Sequence, residues 1–208
     1  MRKRIERDPL GYKKVPADAY FGIHTQRAKE NFQILGRVIN LDLYYAIAKI
    51  KIAAAKANLE LGLLEKDKAR AIIKAADEIL RGKFDEHFVI DIFQAGTGTP
   101  MHMNVNEVIA NRALELLKEY RGHYNKLHPI DDVNMGQSTN DVVPSAIRII
   151  AYRDLLRLID NLEKLRNNLI VKSRQFRRVL KSGRTHLQDA VPITLGQEFH
   201  AYATAIDK

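Results

Sequence analysis

The sequence predicts a mainly α protein: an N-terminal mixed and helical domain, then the first long helices of a central helical bundle. Three observations carry this. Several windows repeat apolar residues at helical spacing. One of them, beginning near residue 140, alternates steps of four and three for several turns, the seam of a helix packed lengthwise against others. The first 37 residues show neither pattern.

Residues 1–37 read as irregular, because Asp8-Pro9-Leu10-Gly11 and Val15-Pro16-Ala17-Asp18 are turn chemistry. From about Leu41 to Leu61 the chain is rich in strong helix formers, with Ala46, Ala48, Ala53, Ala54, Ala55 and Ala57 beside Ile47 and Ile50. Gly62 follows as a C-terminal cap. A second helix is expected over about Glu65 to Leu80, with Ala69, Ile72, Ile73, Ala76, Ile79 and Leu80 as its stripe. Residues 83–103 read as loop, ending in Gln94-Ala95-Gly96-Thr97-Gly98-Thr99-Pro100. A third helix is expected over about Asn104 to Tyr120, followed by an irregular stretch to Gln137.

The fourth helix is expected to start near Asn140, with Pro144 in its first turn, where a missing N–H costs little. Ala151, Leu155, Leu158, Leu162, Leu165 and Leu169 form its seam, and it reaches Ser173 or beyond. That exceeds the ordinary globular helix of about 11–12 residues and belongs in a bundle or an oligomer. Val179 to Arg184 reads as a short extended segment, and a last helix as starting near Leu195.

Composition narrows the function classes. Of the 208 residues, 46% are hydrophobic and 28% charged, the balance of a soluble globular chain. No run approaches the roughly 20 apolar residues that span a bilayer. The charged start, Met1-Arg2-Lys3-Arg4, lacks the apolar region of a signal peptide, so a cytoplasmic location is expected. Without cysteine, thiolate chemistry and cysteine-ligated metals are excluded. The net charge of +9 is spread along the chain with no nucleic-acid motif, so neither nucleic acid nor membrane is an expected partner.

Three loops could carry chemistry: Gly96-Thr97-Gly98-Thr99, Gln137-Ser138-Thr139-Asn140 and Gly183-Arg184-Thr185-His186-Leu187-Gln188. Each is rich in glycine, hydroxyl or amide groups, and each is read as leading into a helix. A helix N-terminus offers free N–H groups and a positive dipole end, which suits a carboxylate or phosphate. The same residue types are also ordinary caps, so the loops by themselves name no reaction. The first loop lacks the Gly-Lys-Ser/Thr ending of a nucleotide P-loop. No two histidines stand four apart on a helix, and no metal site is expected. His186, beside Thr185 in a polar loop, is the histidine placed for proton or hydrogen-bond work.

At these loops the wording becomes specific. Gln137-Ser138-Thr139-Asn140-Asp141 and Gly183-Arg184-Thr185-His186-Leu187-Gln188-Asp189-Ala190 resemble two hallmark segments of the aspartase/fumarase superfamily. So does Gly98-Thr99 followed by Met103-Asn104-Val105-Asn106-Glu107-Val108-Ile109-Ala110-Asn111-Arg112. Val15-Pro16-Ala17-Asp18-Ala19-Tyr20-Phe21-Gly22-Ile23-His24-Thr25 resembles the opening of the aspartase branch. The resemblance covers essentially the whole chain. Ala19 to Gly22 and Gln137 to Asp141 are closer to the aspartase branch, whereas His128 to Asn134 is closer to the fumarase one, with Ile130 where asparagine is usual.

The resemblance implies a reversible elimination, ammonia leaving L-aspartate to give fumarate, with no metal or organic cofactor. It implies that Thr99, Ser138 and Thr139 bind the carboxylate that becomes a dianionic aci-carboxylate, the species preorganised donors stabilise. It implies that Asn140 contacts the leaving amino group, that Thr185 binds the other carboxylate, and that His186 holds the substrate or relays protons. It further implies a domain over 1–139, an incomplete bundle domain over 140–208, and a homotetramer with sites shared between subunits.

The chain departs from the family in three respects. Relatives are about twice as long, and their later loop, with the serine base and a substrate-binding lysine and asparagine, has no match here. Pro100 stands where a small polar residue is common, and His102 where asparagine is common. The competing readings are a fumarate hydratase, in which water replaces ammonia, and a dicarboxylate-binding module without catalysis.

Overall fold

The structure is a computed structural model and describes residues 2–208. Its elements run, in order, β1 (Lys3–Asp8), β2 (Gly11–Pro16), α1 (Ile23–Asn31), α2 (Leu41–Glu60), α3 (Lys66–Leu80), α4 (Thr99–Leu116), α5 (Thr139–Gln175), β3 (Leu180–Thr185), β4 (Gln188–Thr194) and α6 (Leu195–Asp207). The architecture is mainly α, as the sequence predicts. Among the described residues no helix is long and apolar enough to cross a membrane. The chain divides into two compact units, one up to Ile150 and the other from Ala151 to Lys208.

The first unit is built on α2, α3 and α4. Tyr44, Ile47, Ala48 and Ala55 of α2 and Ile72, Ala75, Ala76 and Ile79 of α3 are buried together with Val105, Val108, Ile109 and Leu114 of α4. Each enclosed isoleucine or leucine contributes about 1.5–3 kcal/mol. Helix α4 runs through the middle, every residue from Pro100 to Asn111 being buried. Such a helix can carry polar side chains only where partners meet them. Asn104 Nδ2 donates to the His87 carbonyl at 3.0 Å and Asn111 Nδ2 to the Tyr20 carbonyl at 2.8 Å.

The first 37 residues are not irregular. β1 and β2 pair antiparallel with Lys3 opposite Pro16 and Asp8 opposite Gly11, and α1 follows. The strands escape a reading by alternation because the inward positions are Glu6 and Val15, one of them a carboxylate. Arg4 ties the hairpin down by donating to the carbonyls of Pro16, Ala19 and Phe21 at 2.7–2.8 Å.

α4 begins at Thr99, five residues before the expected start. Gly98 takes the left-handed conformation (φ +77°) that turns the chain into the helix, and Pro100 sits in the first turn. What reads as loop punctuation is the helix entry. Pro144 lies inside α5 rather than in its first turn, because the helix is already closed from Thr139 by Ser138.

In the second unit, Gly183 to Gln188 does not lead into a helix, contrary to expectation. β3 and β4 pair antiparallel, Thr185 opposite Gln188, and His186 and Leu187 make the two-residue turn between them. Both turn residues have positive φ, 49° and 63°, the geometry that matches strand twist and that usually selects glycine or asparagine. α6 starts at Leu195 as expected, with Thr194 and Gln197 forming a reciprocal capping box. From Ala151 on, α5 presents Leu155, Leu158 and Leu165, each about half exposed (48–52%).

Candidate active site

Two of the three loops named from the sequence are helix starts, and the first unit sets them side by side. At the start of α4, Gly98 lies so close to α5 that an added Cβ would sit 3.3 Å from Val143 Cγ1. One turn on, His102 Nδ1 meets Thr139 Oγ1 at 2.8 Å. Thr99, Ser138, Thr139 and Asn140 therefore belong to one neighbourhood of paired helix N-termini.

The protein already uses part of each N-terminus. The Gln94 side chain accepts the N–H of Met101 at 2.9 Å, and Pro100 has no N–H to offer. Thr99, half-buried, is left at the mouth of α4, its hydroxyl 2.9 Å from that of Thr97. At α5, Ser138 Oγ accepts the N–H of Asn140 at 3.2 Å, and the Ser138 carbonyl accepts those of Asp141 and Val142. Ser138 and Asn140 are exposed, Thr139 half-buried.

Thr99 and Pro100 also border a cavity of about 590 Å³ whose other walls include Asp8, His24, Arg27 and Phe32. Arg27 is held there by a two-pronged ion pair with Asp8, at 2.7 and 2.9 Å. That pair keeps the Asp8 carboxyl below its ordinary range. Burial lowers the affinity of His24 for a proton.

The residue that the sequence reading missed is Lys51. It lies in the middle of α2, fully buried, and its ammonium nitrogen reaches Asn134 Oδ1 at 2.6 Å, His102 Nε2 at 2.7 Å and Gln137 Oε1 at 2.9 Å. No carboxylate pairs with it among the described residues. Burial pulls its pKa down to about 7. Burial first, and then the Lys51 charge, push His102 down to about 3, so that ring is neutral. A signal existed: Lys51 falls on the same stripe as Tyr44, Ile47, Ala48 and Ala55, where a lysine has no ordinary reason to be.

Thr185 and His186 lie in the second unit, exposed, at the end of β3 and in the turn that follows. Their setting is a hairpin tip, so helix-dipole arguments do not extend to them.

The hydroxyls of Thr99, Ser138 and Thr139, gathered at the positive ends of two helices, are groups suited to holding an anion such as a carboxylate. Comparison with known proteins gives the family: a family profile described as Lyase matches residues 11–208, and the chain belongs to that family. An aspartate ammonia-lyase from a Bacillus species is 50% identical over 203 residues, covering 98% of this chain and 43% of its own. A class II fumarate hydratase from Halobacterium salinarum is 49% identical over 206 residues, covering 99% and 44%. The crystal structure of a fumarate lyase:delta crystallin from Brucella melitensis superposes with a TM-score of 0.87 at 50% identity, covering 99% of this chain and 48% of the other. The chain thus spans somewhat under half the length of the relatives it matches.

Proposed function

We propose that this chain supplies the carboxylate-holding part of an aspartate ammonia-lyase, which eliminates ammonia from L-aspartate to give fumarate. The observation that supports this best is the pairing of the α4 and α5 helix starts, with the hydroxyls of Thr99, Ser138 and Thr139 gathered there. In this reading a base removes the proton next to one carboxylate. Thr99, Ser138 and Thr139 stabilise the aci-carboxylate, and the C–N bond then breaks with the electron pair leaving on nitrogen. Asn140 contacts the departing amino group. In the assembled oligomer, where each site draws on more than one subunit, a Thr185 binds the second carboxylate and a His186 holds the substrate or relays protons. The catalytic serine base comes from outside these 208 residues. Residues 1–139 act as one domain, and 140–208 as part of a bundle that assembles a homo-oligomer through the exposed seam of α5.

Hydration of fumarate is the second reading, favoured by the near-equal identity to class II fumarate hydratases. The test is absorbance of fumarate after incubation with L-aspartate and, separately, L-malate. It is run with the chain alone and with the C-terminal remainder of the Bacillus relative supplied in trans. Fumarate from aspartate in the complemented sample supports the ammonia-lyase. Fumarate from malate moves the assignment to the hydratase. Silence in every sample, with an assembled oligomer verified by sedimentation, overturns the enzymatic reading.

A further inference from the structure

Beneath Thr139 lies a chain of hydrogen bonds whose direction can be worked out from its ends. The side-chain amides next to Lys51 cannot be turned over. Asn134 Nδ2 donates to the Gln137 carbonyl at 2.9 Å, and Gln137 Nε2 donates to the carbonyls of Val133 and Met135 at 3.2 and 3.3 Å. Both amide oxygens therefore face Lys51 and take two of its hydrogens. The third contact, His102 Nε2, decides the rest. If Lys51 is an ammonium, its third N–H donates to Nε2, which must then be a bare acceptor. The neutral imidazole keeps its one proton on Nδ1 and gives it to Thr139 Oγ1. The Thr139 hydroxyl, already accepting, has its own hydrogen left for an acceptor outside the chain. If Lys51 is a neutral amine, it offers a lone pair instead. Nε2 can then carry the proton, Nδ1 becomes an acceptor, and the Thr139 hydrogen is turned inward.

We propose that Lys51 and His102 are positioning residues for Thr139: the Lys51 proton sets the direction of the chain, so that the Thr139 hydroxyl donates to a substrate carboxylate. This rests on the assignment of Thr139 to the carboxylate site. The enclosure supports it, since Lys51 is 0% and His102 1% exposed, and water has no access to break the order. The elements packed around Lys51 are α2 itself, α4 with His102, the 133–137 segment with Asn134 and Gln137, and α5 with Thr139. Among the described residues His102 is the one titratable group of these in contact with it. A carboxylate bound at Thr139 would hold the proton on Lys51, so anion and proton binding are coupled.

The experiment has two arms. Ring-nitrogen NMR of His102 in the wild-type chain, below and above the Lys51 pKa of about 7, reads the direction and needs no variant. A proton on Nδ1 and a bare Nε2 on the acid side are expected, with the pattern reversing on the alkaline side. A proton on Nε2 on the acid side overturns the proposal. The second arm is a double-mutant cycle on fumarate affinity. Lys51→Met should weaken binding about tenfold when Thr139 is present and have no further effect in a Thr139→Val background. An equal loss in both backgrounds means that Lys51 is merely structural and overturns the relay. If the wild-type chain binds no fumarate, the carboxylate-site reading fails, while the ring-nitrogen pattern still decides the chain.

Discussion

Gly22 and Glu107 are locked face to face: Glu107 Oε2 accepts the Gly22 N–H at 2.9 Å, and a Cβ on residue 22 would lie 2.8 Å from Glu107 Oε1. The same carboxylate accepts the N–H groups of His24 at 2.8 Å and Thr25 at 3.0 Å. Glu6 takes that of Ile23 at 2.7 Å. Two buried acidic side chains from β1 and α4 thus cap α1, whose own N-cap residue, Gly22, has no side chain to do so.

Gly22→Ala should therefore destabilise the chain by about 1–3 kcal/mol, since the methyl group meets Glu107 and the Tyr124 hydroxyl. Glu107→Gln should cost a similar about 1–3 kcal/mol, because its NH₂ would face backbone N–H donors. Urea denaturation measures both. Unchanged midpoints would mean that α1 is not held this way.

Stability should also rise with alkalinity in one window. Burial lowers the Lys51 pKa from 10.5 to about 7, so between those values the unfolded chain holds a proton that the folded chain has released. Stability from this group is fully present above 10.5 and is lost as pH falls to about 7. Denaturation midpoints across that window, compared with Lys51→Met, should show the slope in the wild type and its absence in the variant.

At the β3–β4 turn, Leu187 holds φ at +63° and is 93% exposed, so its side chain gains no packing for the strain. Leu187→Gly should stabilise the chain by about 1 kcal/mol, read as a higher denaturation temperature. If His186 acts from this turn as proposed, the same change should weaken activity of the complemented enzyme by loosening the tip.

The seam of α5 gives a solution prediction. With Leu155, Leu158 and Leu165 about half exposed, the chain should self-associate at micromolar concentration, as large apolar faces do. Leu155→Arg with Leu158→Arg should yield a monomer by sedimentation velocity with an unchanged denaturation midpoint, because neither side chain is part of the buried core.

What the sequence made legible follows from where side chains meet apolar surroundings. α2, α3 and the seam of α5 are readable because each repeats apolar residues at helical spacing, Tyr44, Ile47 and Ala48 in the first, Ala69, Ile72 and Ala76 in the second, and Leu155, Leu158 and Leu162 in the third. The first hairpin was not, because Glu6 fills the position where alternation calls for an apolar residue. The second was not, because His186 and Leu187 adopt a conformation that neither residue advertises. Thr99 and Ser138 to Asn140 were named from the sequence. Lys51 could be recognised only once Asn134 and Gln137, more than eighty positions away, were seen to surround it.

Lys51 has a practical corollary. Acylating reagents consume neutral amines, and this amine is poised near neutrality yet wholly enclosed. Its modification rate under native conditions is therefore a clock for the rare excursions in which α2 parts from α4, a built-in gauge of breathing at the centre of the molecule.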